Sequence, residues 1–270
     1  MLTSTQNPLV KEIKKLREAK GRREQQLFLL EGTHLLEEAC AVDYPLVTVC
    51  CTPQWQERHQ QLWQKAVERC QRAEVVSPEV LKAIATTVQP DGVVATAERL
   101  TPESRQLPEK QLLTSVGLAL ETVQDPGNLG TIIRTAAAAG ADRLWLSADS
   151  VDLDNPKVLR SSAGQWFRLP VVVTTNLKKV VEQCQAQKIQ VVATVPHATL
   201  SYWDIDLGKP TLILLGNEAA GLSADLAQGA DLQVQIPLSS EVESLNVAIT
   251  AALMLYESQR QRRATVLSGE

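Results

Sequence analysis

Thr211–Ser223 reads TLILLGNEAAGLS, and Leu232–Val247 reads LQVQIPLSSEVESLNV. Thr211–Leu215 has the length and the β-branched and leucine content of a buried strand. It stops on Gly216-Asn217-Glu218, where glycine lets the chain turn sharply and bring its backbone against a ligand. Leu232–Ile236 predicts a second strand, ended by Pro237. A polar loop, Leu238–Glu243, leads to Ser244-Leu245-Asn246, which opens a long helix. Each strand end is thus followed by a loop carrying asparagine with glycine or serine. Crevices at the carboxyl ends of parallel strands are where α/β folds bind ligands. An ordinary pair of βα turns accounts for these two stretches equally well, so the decision lies upstream.

The surrounding chain alternates. Strands are predicted at Val116–Leu120, Arg143–Leu146, Val171–Thr174 and Gln190–Val195 in addition to the two above, with helices at Gly130–Ala139, Leu177–Gln187 and Val247–Arg260. That pattern implies an α/β fold with a parallel sheet and crossover helices. Upstream, a basic helix over Asn7–Arg23 precedes a strand at Leu27–Leu30, a helix at Leu35–Cys40 and a strand at Leu46–Cys51. A helix over Trp55–Arg72, brief strands at Val75–Val76 and Gly92–Thr96, and a short helix at Pro78–Ala85 complete this smaller unit. Arg99–Gln111 (RLTPESRQLPEKQ) has two prolines, many charges and no periodicity, and reads as a linker. The expected organisation is an N-terminal domain over 1–98, a linker over 99–111, a second domain over 112–264 and a tail over 265–270.

With 270 residues the chain can build two cores. No apolar run approaches membrane-spanning length, and the N-terminus lacks a signal-peptide core, which predicts a cytoplasmic protein and no membrane partner. Five cysteines, odd in number and without a CxxC pair, indicate neither a disulfide frame nor a metal site. Cys50-Cys51, inside an apolar run, reads as core packing. The net charge of −4 is unevenly spread. Lys11, Lys14, Lys15, Arg17, Lys20, Arg22 and Arg23 crowd the first two dozen residues against Glu12, Glu18 and Glu24, and local basic patches supply the phosphate-binding term. A solvated amphipathic helix would carry the same lysines.

Glu121–Ala139 (ETVQDPGNLGTIIRTAAAA) is the most informative turn. Asp125-Pro126-Gly127-Asn128 signals a turn directly after a strand, and Leu129-Gly130 leads into an alanine-rich helix. A dinucleotide site would want GxGxxG here and a P-loop GxxxxGK; both are absent. Asn128 and Arg134 therefore need another explanation; the ordinary ones are helix capping for Asn128 and a surface or ion-paired position for Arg134. Arg134 is a lone cation on a helix of small apolar residues, and burying it would require a phosphate or carboxylate partner.

Taken together, these segments resemble the SpoU (TrmH) branch of the SPOUT RNA methyltransferases. The resemblance rests on Asn128-Leu129-Gly130 with Arg134-Thr135-Ala136, then Leu215-Gly216-Asn217-Glu218 with Gly221, then Ile236-Pro237 and Ser244-Leu245-Asn246-Val247, in that order. Asp154–Pro170 (DNPKVLRSSAGQWFRLP) also looks like the family's. Phe28-Leu29-Leu30-Glu31-Gly32 and Glu37-Glu38-Ala39 resemble the ribosomal-protein-like RNA-binding domain that precedes many members.

The resemblance implies a C-terminal trefoil knot around the second and third motifs, which general topology rules would exclude. It implies S-adenosyl-L-methionine bound by Leu215, Gly216, Ile236 and Leu245, with Thr194 and Asn217 nearby, and a homodimer. It implies 2′-O-methylation of RNA by Arg134, Asn128, Glu218, Ser244 and Asn246. Arg134 would act as base or clamp the substrate phosphate, oriented by Asn128 and Glu218, while Ser244 and Asn246 would bind substrate or cap the last helix. His34, His59 and His197 fall outside the motifs and read as surface or loop histidines, and Ser239, Ser240 and Glu243 as loop. The N-terminal domain favours large-subunit (23S) ribosomal RNA over transfer RNA as substrate. A noncatalytic RNA-binding protein is the alternative of a different class, opposed by the intact Asn128, Arg134, Glu218 and Asn246. A small-molecule α/β enzyme is disfavoured by the missing glycine fingerprint.

Overall fold

The computed structural model describes residues 1–99 and 112–268, which divide into two compact units. The predicted linker, apart from Arg99, lies outside the described residues, as do 269–270 of the predicted tail.

The first unit takes the N-terminal part of the chain and also Asp152–Phe167. Its sheet has the order β1-β4-β2-β3. β1 (Leu27–Glu31) and β2 (Leu46–Cys51) both run antiparallel to β4 (Val93–Glu98), and β3 (Cys70–Val75) is parallel to β2. The sequence predicts a helix running to Arg72, into the start of this last strand, and only a brief strand at Val75–Val76. Instead α4 (Pro53–Arg58) and α5 (Gln60–Arg69) end before Cys70, and the chain pairs along β2 as a partly exposed edge with no alternation to betray it. The basic helix also divides, into α1 (Pro8–Lys15) and α2 (Ala19–Gln25), because Glu18 is extended (φ −107°, ψ 146°). Val10, Ile13 and Leu16 from α1 meet Val80, Leu81 and Ile84 from α6 (Pro78–Ile84) over Leu29, Cys50 and Val94 of the sheet. Cys50 and Cys51 are buried, and burial pushes both thiols up to about 12, as inert packing groups.

The sequence reading runs the second domain unbroken from 112 to 264, but Asp152–Phe167 belongs to the first unit for a physical reason. The Trp166 ring lies 5.1 Å from that of Phe28 and 5.9 Å from that of Tyr44, and the buried Arg22 holds Asp152 at 2.9 Å. This segment also carries α8 (Pro156–Ser161), which the periodicity of so short a run could not announce.

The second unit holds a seven-stranded sheet with order β7-β6-β5-β10-β8-β11-β9 among the described residues, parallel throughout. The strands are β5 (Val116–Leu120), β6 (Arg143–Ser147), β7 (Val171–Thr174), β8 (Gln190–Thr194), β9 (Leu200–Ser201), β10 (Thr211–Leu215) and β11 (Leu232–Gln235). The six predicted strands all lie within a residue of their expected spans; β9 is new. α9 (Leu177–Ala186) and α10 (Ala224–Gly229) pack together, with Val180, Val181, Cys184 and Leu226 against Leu212 and Leu214 of β10. The alternate side chains of β10 turn to the opposite face, where α11 (Val247–Ser268) packs on α7 (Pro126–Ala138) and β10. α11 continues past Arg260, the predicted end, into the predicted tail. No helix of the described residues is long and apolar enough to cross a membrane.

Candidate active site

β10 is the central strand, and the order reverses beside it: β5, β6 and β7 step one way, and β8 then lands on β10's other side. Its carboxyl end therefore opens at a topological switch point. From Leu215 the chain enters a tight loop in which Asn217 and Gly221 exchange N–H···O bonds of 2.9 Å. A Cβ at Gly216 would fall on the main chain of Gly221 and Leu222, so only glycine fits. The Asn217 side chain serves this loop. Its Oδ1 accepts from the N–H groups of Ala219 and Ala220, and its Nδ2 donates to the Thr122 carbonyl at 2.7 Å.

Between this loop, the end of β8 and the segment before α11 lies a cleft of about 310 Å³. Leu215, Gly216, Ile236 and Leu245 line it, together with Thr194 and Asn217, so all six residues expected around the cofactor share one cavity. Thr194 also donates from its hydroxyl to the Leu214 carbonyl at 3.0 Å. His197 and Glu243, read from sequence as loop residues, line the cleft as well; they fall outside the motifs, and only the fold brings them there.

Beside the cleft, the three motifs join through a chain of polar side chains. Asn246 donates from Nδ2 to Asn128 Oδ1 at 2.9 Å, and Asn128 donates from Nδ2 to Glu218 Oε1 at 3.1 Å. Glu218 further accepts from the backbone N–H groups of Gln124 (3.2 Å) and Asp125 (3.1 Å). Burial alone would push the Glu218 carboxyl up. Hydrogen bonds from Asn128 and from the backbone N–H groups of Glu218, Asp125 and Gln124 outweigh it and hold the group below the ordinary glutamate range. Its charge also sits where the positive end of α7 favours it.

The structure decides between the alternatives left open for individual residues. Helix α7 begins at Pro126, so the predicted turn is its first turn, with proline at N1. Asp125, not Asn128, is the cap, accepting from the Asn128 N–H at 2.8 Å, and this frees the Asn128 side chain for the chain above. Asn246 Oδ1 accepts from the N–H groups of Ala248 (2.8 Å) and Ile249 (3.4 Å), so Asn246 caps α11 while reaching Asn128. Ser244 is exposed on the cleft and makes no hydrogen bond to a described residue. Arg134 is exposed rather than buried. Among the described residues it is bonded to neither Asn128 nor Glu218 nor any other side chain, so its N–H donors are not used there.

Thr122 went unremarked in the sequence. It adopts φ 53°, rare for a β-branched residue. Hydrogen bonds fix it on every side: its N–H to Ser147 Oγ at 2.7 Å, its hydroxyl to Asp149 at 2.8 Å, and its carbonyl from Asn217. No local signal marks such a position, because the partners come from the ends of two other strands, β6 and β10.

Comparison with known proteins agrees with this geometry. The sequence profile of the SpoU rRNA Methylase family matches residues 115–256, and that of the MRM3-like substrate binding domain matches residues 7–95. An uncharacterized tRNA/rRNA methyltransferase of Synechocystis is 47% identical over 270 residues, covering 99% of this chain and 96% of the relative. The 23S rRNA (guanosine(2553)-2′-O)-methyltransferase RlmP of Bacillus subtilis is 34% identical over 256 residues, covering 94% and 97%. Among solved structures, the AdoMet-bound rRNA methyltransferase from Sinorhizobium meliloti superposes with a TM-score of 0.84 at 34% identity, covering 96% of this chain and 97% of that one. Motifs, cleft and relatives agree: the chain belongs to the SpoU rRNA methylase family.

Proposed function

We propose that this protein transfers a methyl group from S-adenosylmethionine to a ribose 2′-hydroxyl of structured RNA, and that its substrate is large-subunit ribosomal RNA. The observation that carries the reading is the Asn246–Asn128–Glu218 chain, which ties three separate sequence motifs together beside one cleft at the end of the central strand.

The cleft suits the cofactor. Its walls at Leu215, Ile236 and Leu245 are apolar, its loops offer main-chain donors and acceptors, and the carboxylates of Glu218 and Glu243 lie on its lining, matching a cationic sulfonium. S-adenosylmethionine supplies an already activated methyl group, which leaves this chain to align the acceptor and manage one proton. Asn128, fixed at both ends, holds the ionised Glu218, and through it the loop after β10, against the start of α7. A guanidinium presents fixed N–H donors and no acceptor, so clamping the phosphate beside the target ribose and stabilising the developing alkoxide is the physically easier role for Arg134 than acting as base. Ser244 offers a free hydroxyl to the substrate on the same cleft.

RlmP, named for 23S rRNA, aligns with this chain over nearly its whole length, which supports ribosomal over transfer RNA. The reading carries with it a trefoil knot around Gly216–Gly221 and Ile236–Val247, a homodimer and a cytoplasmic location. The exposed Ile249 and Tyr256, two turns apart on α11, support a subunit contact. Mapping 2′-O-methylation across total RNA, with and without the gene, tests the substrate. Loss of one large-subunit ribosomal mark is expected. Loss of a transfer-RNA mark would move the activity to that substrate, and an unchanged map would contradict the reading.

A further inference from the structure

We infer that the groove between α1 and α2 in the first unit is a preformed seat for the phosphate backbone of RNA, an inference that rests on the RNA substrate proposed above. The groove has a volume of about 660 Å³, and Lys11, Lys14, Lys15, Arg17 and Lys20 line it. Along α1, Lys11, Lys14 and Lys15 follow the i, i+3, i+4 spacing that puts side chains on one helix face, alongside the buried stripe of Val10 and Ile13.

The shape is built rather than incidental. The buried Arg22, 2% exposed, donates from Nη1 to the carbonyls of Leu16 (3.1 Å) and Arg17 (3.2 Å). It therefore satisfies the carbonyls of the turn that links α1 to α2 and fixes the angle at which α2 departs. Gly21 completes the approach, since a Cβ there would strike the Lys15 carbonyl. The cationic side chains are thereby carried on a backbone that cannot splay without exposing Arg22.

Two carboxylates, Glu18 and Glu24, also line the groove, and they do not cancel it. Lys20 meets Glu24 only at 3.8 Å, and Lys15 pairs with Glu12 at 2.8 Å, all four side chains being more than half exposed. Exposed pairs of this kind contribute little to stability and exchange readily for phosphate. Lys11 and Lys14 have no ion pair among the described residues. A groove of this charge inside a chain of net charge −4 concentrates the counterion-release term at one place. It holds no aromatic platform and no side-chain amide, so it grips the backbone and reads no base.

The test is the salt dependence of RNA binding by the full-length protein. A structured hairpin transcript from large-subunit ribosomal RNA is titrated at several potassium chloride concentrations against three proteins: wild type, Lys11→Gln/Lys14→Gln, and the control Lys65→Gln/Lys179→Gln, which removes two exposed lysines outside the groove. The groove pair should flatten the slope of log K against log salt by about two units, one for each lost phosphate contact. The control should leave it unchanged. The groove variant should retain the wild-type melting temperature and affinity for S-adenosylmethionine. Equal slopes for wild type and groove variant, or an equal loss in the control, would overturn the groove. A wild type that binds RNA with the predicted slopes but lacks affinity for S-adenosylmethionine would instead overturn the transferase reading and leave the groove standing.

Discussion

Asn128 carries more of the site than its size suggests. It gives a hydrogen bond to Glu218 and takes one from Asn246, so its amide is used in both directions. Those bonds hold the Glu218 carboxyl below the ordinary glutamate range, and this sets a pH dependence. A carboxyl whose native pKa is lowered contributes stability above its unfolded value and loses it as the pH falls through the native one. Thermal melts in acid should therefore fall through that window, and the fall should shrink in Glu218→Gln. Arg134 is the opposite case, a guanidinium with its donors unspent. Arg134→Ala and Arg134→Lys should each reduce methyl transfer by about 10²–10³-fold, because a lysine cannot reproduce the planar fork, while S-adenosylmethionine affinity stays near that of wild type. Single-turnover transfer with calorimetry on the same variants checks this, and a fully active Arg134→Lys would remove the assigned role. At this scale, residue types and spacing announced which side chains matter. They could not announce partners: Asn128 looks like a cap until Asp125 takes that place, and Arg134 looks like a residue needing burial until the helix is seen to face it outward.

Elements were most legible where burial forces a simple pattern. β5, β7 and β10 are continuous apolar runs of strand length, and the sequence places them to the residue. Legibility failed where a distant partner overrides the local pattern. A helical reading of Asn7–Arg23 has nothing against it locally, yet the chain breaks at Glu18 because Arg22 reaches back to the Leu16 and Arg17 carbonyls and across to Asp152. Cys70–Val75 turns to strand because β2 offers an edge. Arg22→Ala should cost about 1–3 kcal/mol of stability in denaturant titration, since it strips the Leu16 and Arg17 carbonyls of their donor, while Arg99 keeps its hold on Asp152. A variant as stable as wild type would show that the break between the helices is set by other contacts.

At the level of the whole molecule, the chain spends its N-terminal third and one returning segment on the first unit, and puts its cleft where the second unit's strand order reverses. The return of Asp152–Phe167 was illegible because its aromatic partners, Phe28 and Tyr44, lie more than a hundred residues away in the chain. α11 buries Ala251, Met254 and Leu255 but leaves Ile249 51% and Tyr256 49% exposed, an apolar edge suited to a second copy. Light scattering at micromolar concentration should report a dimer for wild type and a smaller species for Ile249→Glu/Tyr256→Glu; a monomeric wild type would remove the subunit contact from the account.

The central claim, that the cleft after β10 holds the methyl donor, is tested most directly by calorimetric titration of S-adenosylmethionine into wild type and Gly216→Ala. The added methyl must displace the main chain of Gly221 and Leu222 and so reshape the loop. Saturable binding to wild type and a marked loss of affinity in Gly216→Ala are predicted. No binding to folded wild type, or the same affinity in both proteins, would contradict it.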